Sequence, residues 1–471
     1  MPWRDATGEG EGPGAVCPGT VAIQTHGCKL NQADSQALAR DFAQAGFRLV
    51  DSPAEAQVFV LNTCTVTATA DAKARQALRA ARRANPQVFI VAAGCYPQRA
   101  AASVAALDAV SLVVDNTQKQ RLVPLVLDAL ASRRKMACEK PASPPYQGGD
   151  KEGVVSAQHQ GYDLLPPRPR RGSPRRTRAT VKIQEGCDQV CAYCIVPRVR
   201  GRERSIPPEN LIGQIDQLVS EGHLEVVLTG TQLGAYGFDI PGASLAWLLE
   251  RILDETQAPR LRVSSLQAHE ITPELLARWR DPRLCPHFHV PLQSGSDAVL
   301  KAMRRRYDAA RFAETLAIIR QALPYAGITT DLMVGFPGEG EDQFRESMEF
   351  ARAMRFSDLH VFSYSPRPGT SAAHFPGQVA GAIKQQRAAQ VLELAQEASR
   401  AFRAGQLGQT RPVLWELAQR KHQGAPAWSG LTDNYIRVYT TSPASLGNSI
   451  TPATLLELDG DWVRAAPLRD C

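Results

Sequence analysis

Two periods of apolar residues alternate through the first part of the chain. The short apolar runs in TVAIQTHGC at 20–28, AQVFVLNTC at 56–64 and QVFIVAAGC at 87–95 read as strands. Between them, NQADSQALARDFAQAG at 31–46 and DAKARQALRAARRAN at 71–85 repeat their apolar positions every three to four residues, as amphipathic helices do. Strand and helix in alternation predict an open α/β sheet domain over residues 20–138. In each of these three runs the strand ends at a cysteine: Cys28, Cys64 and Cys95.

The periodicity is lost at 139–177, a stretch rich in Pro, Gly and charge that reads as a flexible linker, basic at its far end. From 178 the apolar runs resume as ATVKIQEGC, LEVVLTG, LRVSSLQ, HFHVPLQ, ITTDLMVGF and DLHVFSYSP, with helical patterns such as PENLIGQIDQLVSEG and LAWLLERILDE between them. Six strand and helix units predict a partial (β/α)6 barrel over 178–402, one that ends on a charged helix near 380–403. The short runs TRPVLWELAQ, LTDNYIRVYTT, ATLLELDG and DWVRAA then predict a small β-barrel over 403–471. The expected fold class is therefore α/β, in three parts.

Composition narrows the chemistry. A chain of 471 residues suits about three domains at ~150 residues each, and 44% hydrophobic content is ordinary for a soluble protein. The start MPWRDATGEGEGPGAV lacks the basic and apolar segments of a secretory leader, and no run approaches the ~18 apolar residues of a membrane span. A cytoplasmic protein with no membrane partner is expected. In a reducing compartment ten cysteines point to metal or redox chemistry rather than to a disulfide framework. The net charge of +7 is modest, but arginines concentrate in RPRRGSPRRTR at 168–178 and PRVRGRER at 197–204, on either side of the densest cysteine motif.

That motif is EGCDQVCAYC at 185–194, which sets Cys187, Cys191 and Cys194 directly after the first barrel strand, at the end where barrel active sites lie. Structural zinc takes four ligands, commonly as two pairs, and no second pair follows here. An iron-sulfur cubane held by three thiolates leaves one iron open to another ligand. Zinc in a non-catalytic RNA-binding module and an open cubane in an enzyme are the two readings of the motif. Cys28, Cys64 and Cys95 end strands whose carboxyl ends share the ligand-binding edge of such sheets, so their thiols are expected to converge. Cys17, Cys138, Cys285 and Cys471 show no comparable placement and read as ordinary thiols.

CxxxCxxC at the start of a partial (β/α) barrel resembles the radical S-adenosylmethionine (SAM) superfamily. Three upstream cysteines and a C-terminal β-module similar to a TRAM domain extend the resemblance to its methylthiotransferase branch, over nearly all of residues 20–471. The segments GCKLNQADSQ, NTCTVTATADAKARQ, GCYPQ, SSLQAHEIT, PLQSGSD, DLMVGFPGE and YSPRPGTSAA look most like the enzymes that methylthiolate threonylcarbamoyladenosine in tRNA. Two features depart from that pattern: the linker is long, and Ile206 follows Ser205 where a basic residue is expected.

The resemblance implies two [4Fe-4S] clusters, one on Cys187, Cys191 and Cys194 and one on Cys28, Cys64 and Cys95. In that family the first cluster reduces SAM to a 5'-deoxyadenosyl radical. The second carries a sulfur that another SAM methylates, and the methylthio group is joined to carbon 2 of adenine, whose hydrogen no near-neutral base removes as a proton. The implied partners are tRNA through its anticodon stem-loop, a reductant such as flavodoxin or ferredoxin, and a sulfur donor. Isopentenyladenosine in tRNA or a ribosomal protein aspartate is the alternative target.

By the same similarity Thr229, Gly230, Thr231 and Gln232 of LTGTQLG meet the SAM amino group, and Ser264 and Ser265 its ribose or carboxylate. Gln293, Ser294 and the loop with Asp331, Gly335 and Pro337 close over its adenine, towards which Tyr193 presents its backbone. Arg367, at a barrel-strand end, is a candidate catalytic residue. Arg200, Arg202 and Arg204 are candidates for the substrate carboxylate, since an arginine fork is its natural partner. Tyr435 and Arg437, with Trp462, are candidates for holding the tRNA body.

Overall fold

The computed structural model describes residues 19–138, 177–416, 420–422, 425–442 and 444–468. Apart from Thr177, the predicted linker lies outside the described residues, as do Cys17 and Cys471. The chain divides into two units, Met1–Thr65 with Thr69–Lys140, and Val66–Ala68 with Pro141–Cys471. Among the described residues no helix is long and apolar enough to cross a membrane.

In the first unit β1 (Thr20–Thr25), β2 (Arg48–Leu49), β3 (Val58–Thr63), β4 (Phe89–Gly94) and β5 (Leu112–Val114) form one parallel sheet in the order β2-β1-β3-β4-β5. The helices are α1 (Lys29–Gln44), α2 (Ala68–Ala84), α3 (Cys95–Ala105) and α4 (Leu122–Cys138). β3 and β4 are buried at every residue, because helices cover both faces of the sheet. Alternate side chains of β3 go to opposite sides: Val58 and Val60 pack with Phe42 of α1 and Val126 of α4, while Phe59 and Leu61 pack with Leu78 of α2 and Val104 of α3. Each such side chain taken out of water contributes ~1.5–3 kcal/mol.

In the second unit β6 (Arg178–Lys182) leads into an antiparallel hairpin of β7 (Gln184–Glu185) and β8 (Arg204–Ser205), which brackets the cysteine loop and α5 (Val196–Arg200). Strands β9 (Glu225–Thr229), β10 (Leu261–Val263), β11 (His287–His289), β12 (Gly327–Val334) and β13 (Asp358–Ser363) continue a parallel series from β6. A bridge between Ser265 and His289 joins its two halves. Helices α6 (Pro208–Ser220), α7 (Leu245–Glu255), α8 (Pro273–Leu276), α9 (Asp297–Ala302), α10 (Ala309–Ala322) and α11 (Glu341–Ala353) lie between the strands, and α12 (Gly381–Ala404) follows them. Ser244 and Asp308 start α7 and α10 by accepting the N–H of Trp247 and Arg311. This is the six-stranded partial barrel that the alternation predicts. Along β12, Ile328, Leu332 and Val334 enter the core beneath the helices, so Thr329, Asp331 and Met333 turn to the inner face.

The chain ends in β14 (Thr410–Trp415), β15 (Arg420–His422), β16 (Ala425–Thr432), β17 (Arg437–Thr440), β18 (Ile450–Asp459) and β19 (Trp462–Pro467). The run β14-β18-β19-β17-β16 closes through pairing of β14 with β16 into a five-stranded barrel, with β15 added at one edge. Val413, Trp415, Val438, Leu455 and Val463 fill it. One expectation fails here. LTDNYIRVYTT is not a single strand, because the chain reverses between Thr432 and Arg437. Thr432 Oγ1 donates to Asn434 Oδ1 at 2.7 Å and accepts from the Ile436 N–H at 2.8 Å, and Tyr435 takes a left-handed φ of 77°. These local side-chain bonds replace the ladder.

Candidate metal centres

Three neighbouring strands of the first unit each deliver one cysteine to the carboxyl edge of the sheet. Thr25 pairs with Asn62 and Thr63 with Gly94, so β1, β3 and β4 end nearly level. Cys28 caps α1 just beyond β1, Cys64 follows β3 directly, and Cys95 opens α3 after β4. The turns are built for close approach. Gly27, at φ 129°, lies where a Cβ would stand 2.8 Å from Cys64 Cβ, and at Gly94, φ 100°, a Cβ would meet Asn62 Oδ1 at 2.6 Å. Asn31 Nδ2 donates to the carbonyls of His26 (2.8 Å) and Thr63 (3.0 Å), and Asn62 Nδ2 donates to the carbonyl of Asn31 (2.9 Å). These amides lace the loop carrying Cys28 to the strand carrying Cys64. Asn116 Nδ2 donates to Cys95 Sγ at 3.5 Å. Three cysteines at one sheet edge equal in number the protein thiolates of an iron-sulfur cubane with an open position.

Cys187, Cys191 and Cys194 lie in the loop between β7 and α5. Gly186, at φ 81°, is forced: a Cβ there would stand 1.8 Å from the carbonyl oxygen of Arg202. Backbone bonds clamp the loop, with the Cys187 N–H donating to Gly201 (3.1 Å), the Cys194 N–H to Cys191 (3.1 Å) and the Ala192 N–H to Met303 (3.0 Å). Burial, helped by the charges of Glu203 and Cys191, pushes the Cys187 thiol up to about 11, and burial, helped by Cys191 and Cys187, pushes the Cys194 thiol up to about 12. Thiols buried as Cys187 and Cys194 are do not ionise unaided, whereas a multivalent metal group that takes the place of their protons makes them ligands. The residues fit a cluster.

A polar network surrounds this loop. Gln232 donates from Nε2 to Glu270 Oε1, accepts from Gln267 Nε2 at 3.1 Å, and lies 4.0 Å from Cys187 Sγ. Burial pushes Glu270 up to about 7, against the hydrogen bonds from Gln267 and Gln232. Arg305 donates to Gln267 Oε1, to Tyr307 Oη (2.9 Å) and, at 3.4 Å each, to Cys191 Sγ and Tyr193 Oη. A fixed guanidinium and a titratable carboxyl therefore flank the cysteines. Sequence reasoning missed both, together with Gln184, whose buried Oε1 accepts the N–H groups of Thr231 (3.0 Å) and Gln232 (2.8 Å) and shapes the LTGTQLG turn.

The other expected site residues are distributed as follows. Gly230 packs on Gln184, where an added Cβ would stand 3.1 Å from the Gln184 carbonyl oxygen. Ser264 donates to Thr229 Oγ1 at 3.4 Å, and Ser265, at the next position, is exposed. Gln293 takes a φ of 69° and donates its N–H to the carbonyl of Asp331 at 2.8 Å. Ser294 is fully buried with its Oγ 2.9 Å from Ser347 Oγ of α11. Gly335, at φ 74°, lies under the stem of Lys384, and Pro337 is buried in the same turn. Arg367 is buried after β13, its carbonyl accepting the N–H of Thr370 at 3.0 Å. Arg200 is buried against Glu185 at 2.7 Å, Arg204 shares that carboxylate at 3.0 Å, and Arg202 is 90% exposed beside Asp188. Tyr435 stacks on His287 with centroids 4.2 Å apart and lies under Arg262, while Arg437 is exposed on β17. Asp331 accepts from two histidines of neighbouring strands; burial would raise its pKa, but the imidazoles outweigh burial and hold it well below the usual carboxylate range.

Residues 20–115 match a family model described as Uncharacterized protein family UPF0004, and residues 181–351 match the Radical SAM superfamily. Among curated proteins, Threonylcarbamoyladenosine tRNA methylthiotransferase MtaB of Bacillus subtilis (strain 168) is 35% identical over 453 residues, which cover 94% of this chain and 96% of that protein. The protein of the same name from Aquifex aeolicus (strain VF5) is 36% identical, covering 81% and 89%. A tRNA-2-methylthio-N(6)-dimethylallyladenosine synthase of Moorella thermoacetica is 36% identical, covering 84% and 87%. Among solved structures, the radical S-adenosylmethionine methyltransferase TsrM from Kitasatospora setae superposes with a TM-score of 0.52 at 16% identity over 75% of this chain and 73% of that one, a likeness of fold.

Proposed function

Because the chain belongs to the radical SAM tRNA methylthiotransferase family, we propose that it methylthiolates carbon 2 of N6-threonylcarbamoyladenosine beside the anticodon of tRNA, using two [4Fe-4S] clusters and two molecules of SAM. The observation that supports this most is the pair of three-thiol sets in a chain that matches a threonylcarbamoyladenosine enzyme over 94% of its length. When bound, a cluster with SAM supplies the one-electron chemistry that takes hydrogen from carbon no ordinary base deprotonates.

The chain's own residues bind and orient. Cys187, Cys191 and Cys194 would hold the cluster that works with SAM, and Cys28, Cys64 and Cys95 the second. Glu270 and Gln232 offer acceptors for the SAM ammonium, and Arg305 offers a cation for its carboxylate. Arg305 also sets a positive charge 3.4 Å from Cys191 Sγ, which favours a thiolate set of net negative charge. Arg202 and Arg204, the more exposed of the three candidate arginines, remain the proposed partners of the threonylcarbamoyl carboxylate; Arg200 is held by Glu185 and shapes the hairpin. A reductant such as flavodoxin or ferredoxin and a separate sulfur donor complete the proposed reaction.

The Moorella relative favours a second reading, with dimethylallyladenosine as the target. Mass spectrometry of tRNA nucleosides from a deletion strain separates the two. Loss of methylthiolated threonylcarbamoyladenosine is expected, and its survival alongside loss of the dimethylallyl product would replace the first reading with the second. Anaerobic reconstitution is expected to incorporate about eight irons per chain with broad visible absorption; about four would remove one cluster from the proposal.

A further inference from the structure

Three further metal-ligating side chains meet on the inner face of the barrel. His289 Nε2 lies 3.2 Å and His360 Nδ1 3.3 Å from Asp331 Oδ1, and the three ligand atoms all fall within 4.8 Å of one another. Neither histidine has a part in the reaction proposed above.

We propose that His289, Asp331 and His360 form a binding site for one divalent transition-metal ion, a two-histidine, one-carboxylate face whose remaining coordination positions open to the inner side of the barrel. The two distances to Asp331 fit: donors at bond lengths of ~2.0–2.1 Å on a tetrahedral ion stand about 3.3 Å apart. The backbone also fits, because the three ligands sit on adjacent paired strands. Asp331 of β12 is the register partner of His360 on β13, and His289 of β11 pairs with Thr329, two residues from Asp331 and on the same face. An outer partner orients one ring. His289 Nδ1 lies 3.0 Å from Thr329 Oγ1, which also meets His287 Nε2 at 3.3 Å, so the ring is held with Nε2 towards Asp331. His289 is buried, whereas the His360 side chain is 54% exposed, which leaves a path for an ion to enter from water. Imidazole with carboxylate suits Zn2+, Fe2+ or Mn2+. The competing arrangement is a carboxylate that accepts an N–H from each imidazole and binds no ion.

The test uses zinc as the probe on the full chain with its iron-sulfur clusters reconstituted. The protein is equilibrated anaerobically with Zn2+, passed over a chelating resin, and its zinc and iron are counted. Wild type is expected to retain about one zinc beyond its iron, and His360→Ala and Asp331→Asn to lose that zinc with iron content unchanged. Zinc should also raise the melting temperature of wild type and leave that of His360→Ala where it was. His360 lies at the surface, so its replacement keeps the fold even if Asp331→Asn does not. No retained zinc in wild type would overturn the proposal. Equal zinc in wild type and both variants would also overturn it, by assigning the metal to cysteines left without iron.

Discussion

Glu225 and Arg262 form a two-bonded ion pair sealed from solvent in the barrel, with Arg262 Nε 3.0 Å from Oε1 and Nη2 3.2 Å from Oε2. Arg260 Nε adds a third contact, 2.6 Å from Oε2. Both guanidiniums also donate to carbonyls at the end of β16 and just beyond it: Arg260 to Leu431 (3.1 Å) and Thr432 (2.8 Å), Arg262 to Asp433 (2.9 Å). One carboxylate thus bridges the two cations that fasten the partial barrel to the closed barrel. This polar joint carries no chemistry of its own, and its consequences are in stability.

Glu225→Gln leaves two buried guanidiniums with no counter-charge. The expected cost is about 3–5 kcal/mol, the range for breaking one side of a buried pair. Urea unfolding of the variant should show a clearly lowered midpoint; a midpoint equal to wild type would mean that the arginines find other partners.

The same pair predicts an acid dependence. Burial would raise the pKa of Glu225, but Arg262 and Arg260 outweigh it and lower the value from 4.5 to about 2. A depressed folded pKa gives stability that is fully present above the unfolded value and is lost as pH falls from about 4.5 towards 2. The pair's contribution is on the order of 3 kcal/mol. Wild type should therefore lose more stability between pH 5 and pH 3 than Glu225→Gln loses. Parallel stability curves for the two proteins over that window would assign the acid sensitivity elsewhere.

The placement of the cysteines could be read from sequence because it is local: thiols at close spacing in the chain, or directly after apolar runs that fold as parallel strands. Arg305 could not. It stands in KAMRRRY between two exposed arginines, and a run of three reads as a solvated face; the turn after α9 sends only the middle one to Cys191 and Tyr307. Glu270 is an unremarked acid in AHEIT until burial beside Gln232 changes its proton affinity. His289, Asp331 and His360 lie far apart in sequence and are joined only by strand register, which no local pattern carries. Tyr435 has a contact that its sequence neighbours do not announce: a left-handed turn lays its ring on His287.

Arg305 leads to a prediction about SAM binding. Its guanidinium serves Cys191, Tyr193, Tyr307 and Gln267 at once, a geometry that a lysine ammonium with three donors on a flexible stem does not reproduce. Arg305→Lys should raise the KM for SAM about tenfold, the worth of one charge-assisted hydrogen bond of ~1.5 kcal/mol, with iron content preserved. Iron lost in parallel with SAM affinity would show instead that the arginine supports the cluster loop.

Asn31 sets the loop of Cys28 against the strand of Cys64, and its role rests on donation. Its bonds to His26 and Thr63 run from Nδ2 to their carbonyl oxygens, in a site only 1% exposed. Asn31→Ala strands two buried acceptors and frees the loop, at a cost of ~1–3 kcal/mol. Asn31→Asp has nearly the same shape and, once ionised, no donor, so it adds carboxylate repulsion from both carbonyls and should be the worse variant. In either case the loss falls on the thiol set of the first unit. Anaerobic reconstitution should give about half the iron of wild type, with the remainder on Cys187, Cys191 and Cys194. Full iron incorporation by Asn31→Asp would show that the three strand ends align without this amide, and that the sheet register alone holds Cys28 in place.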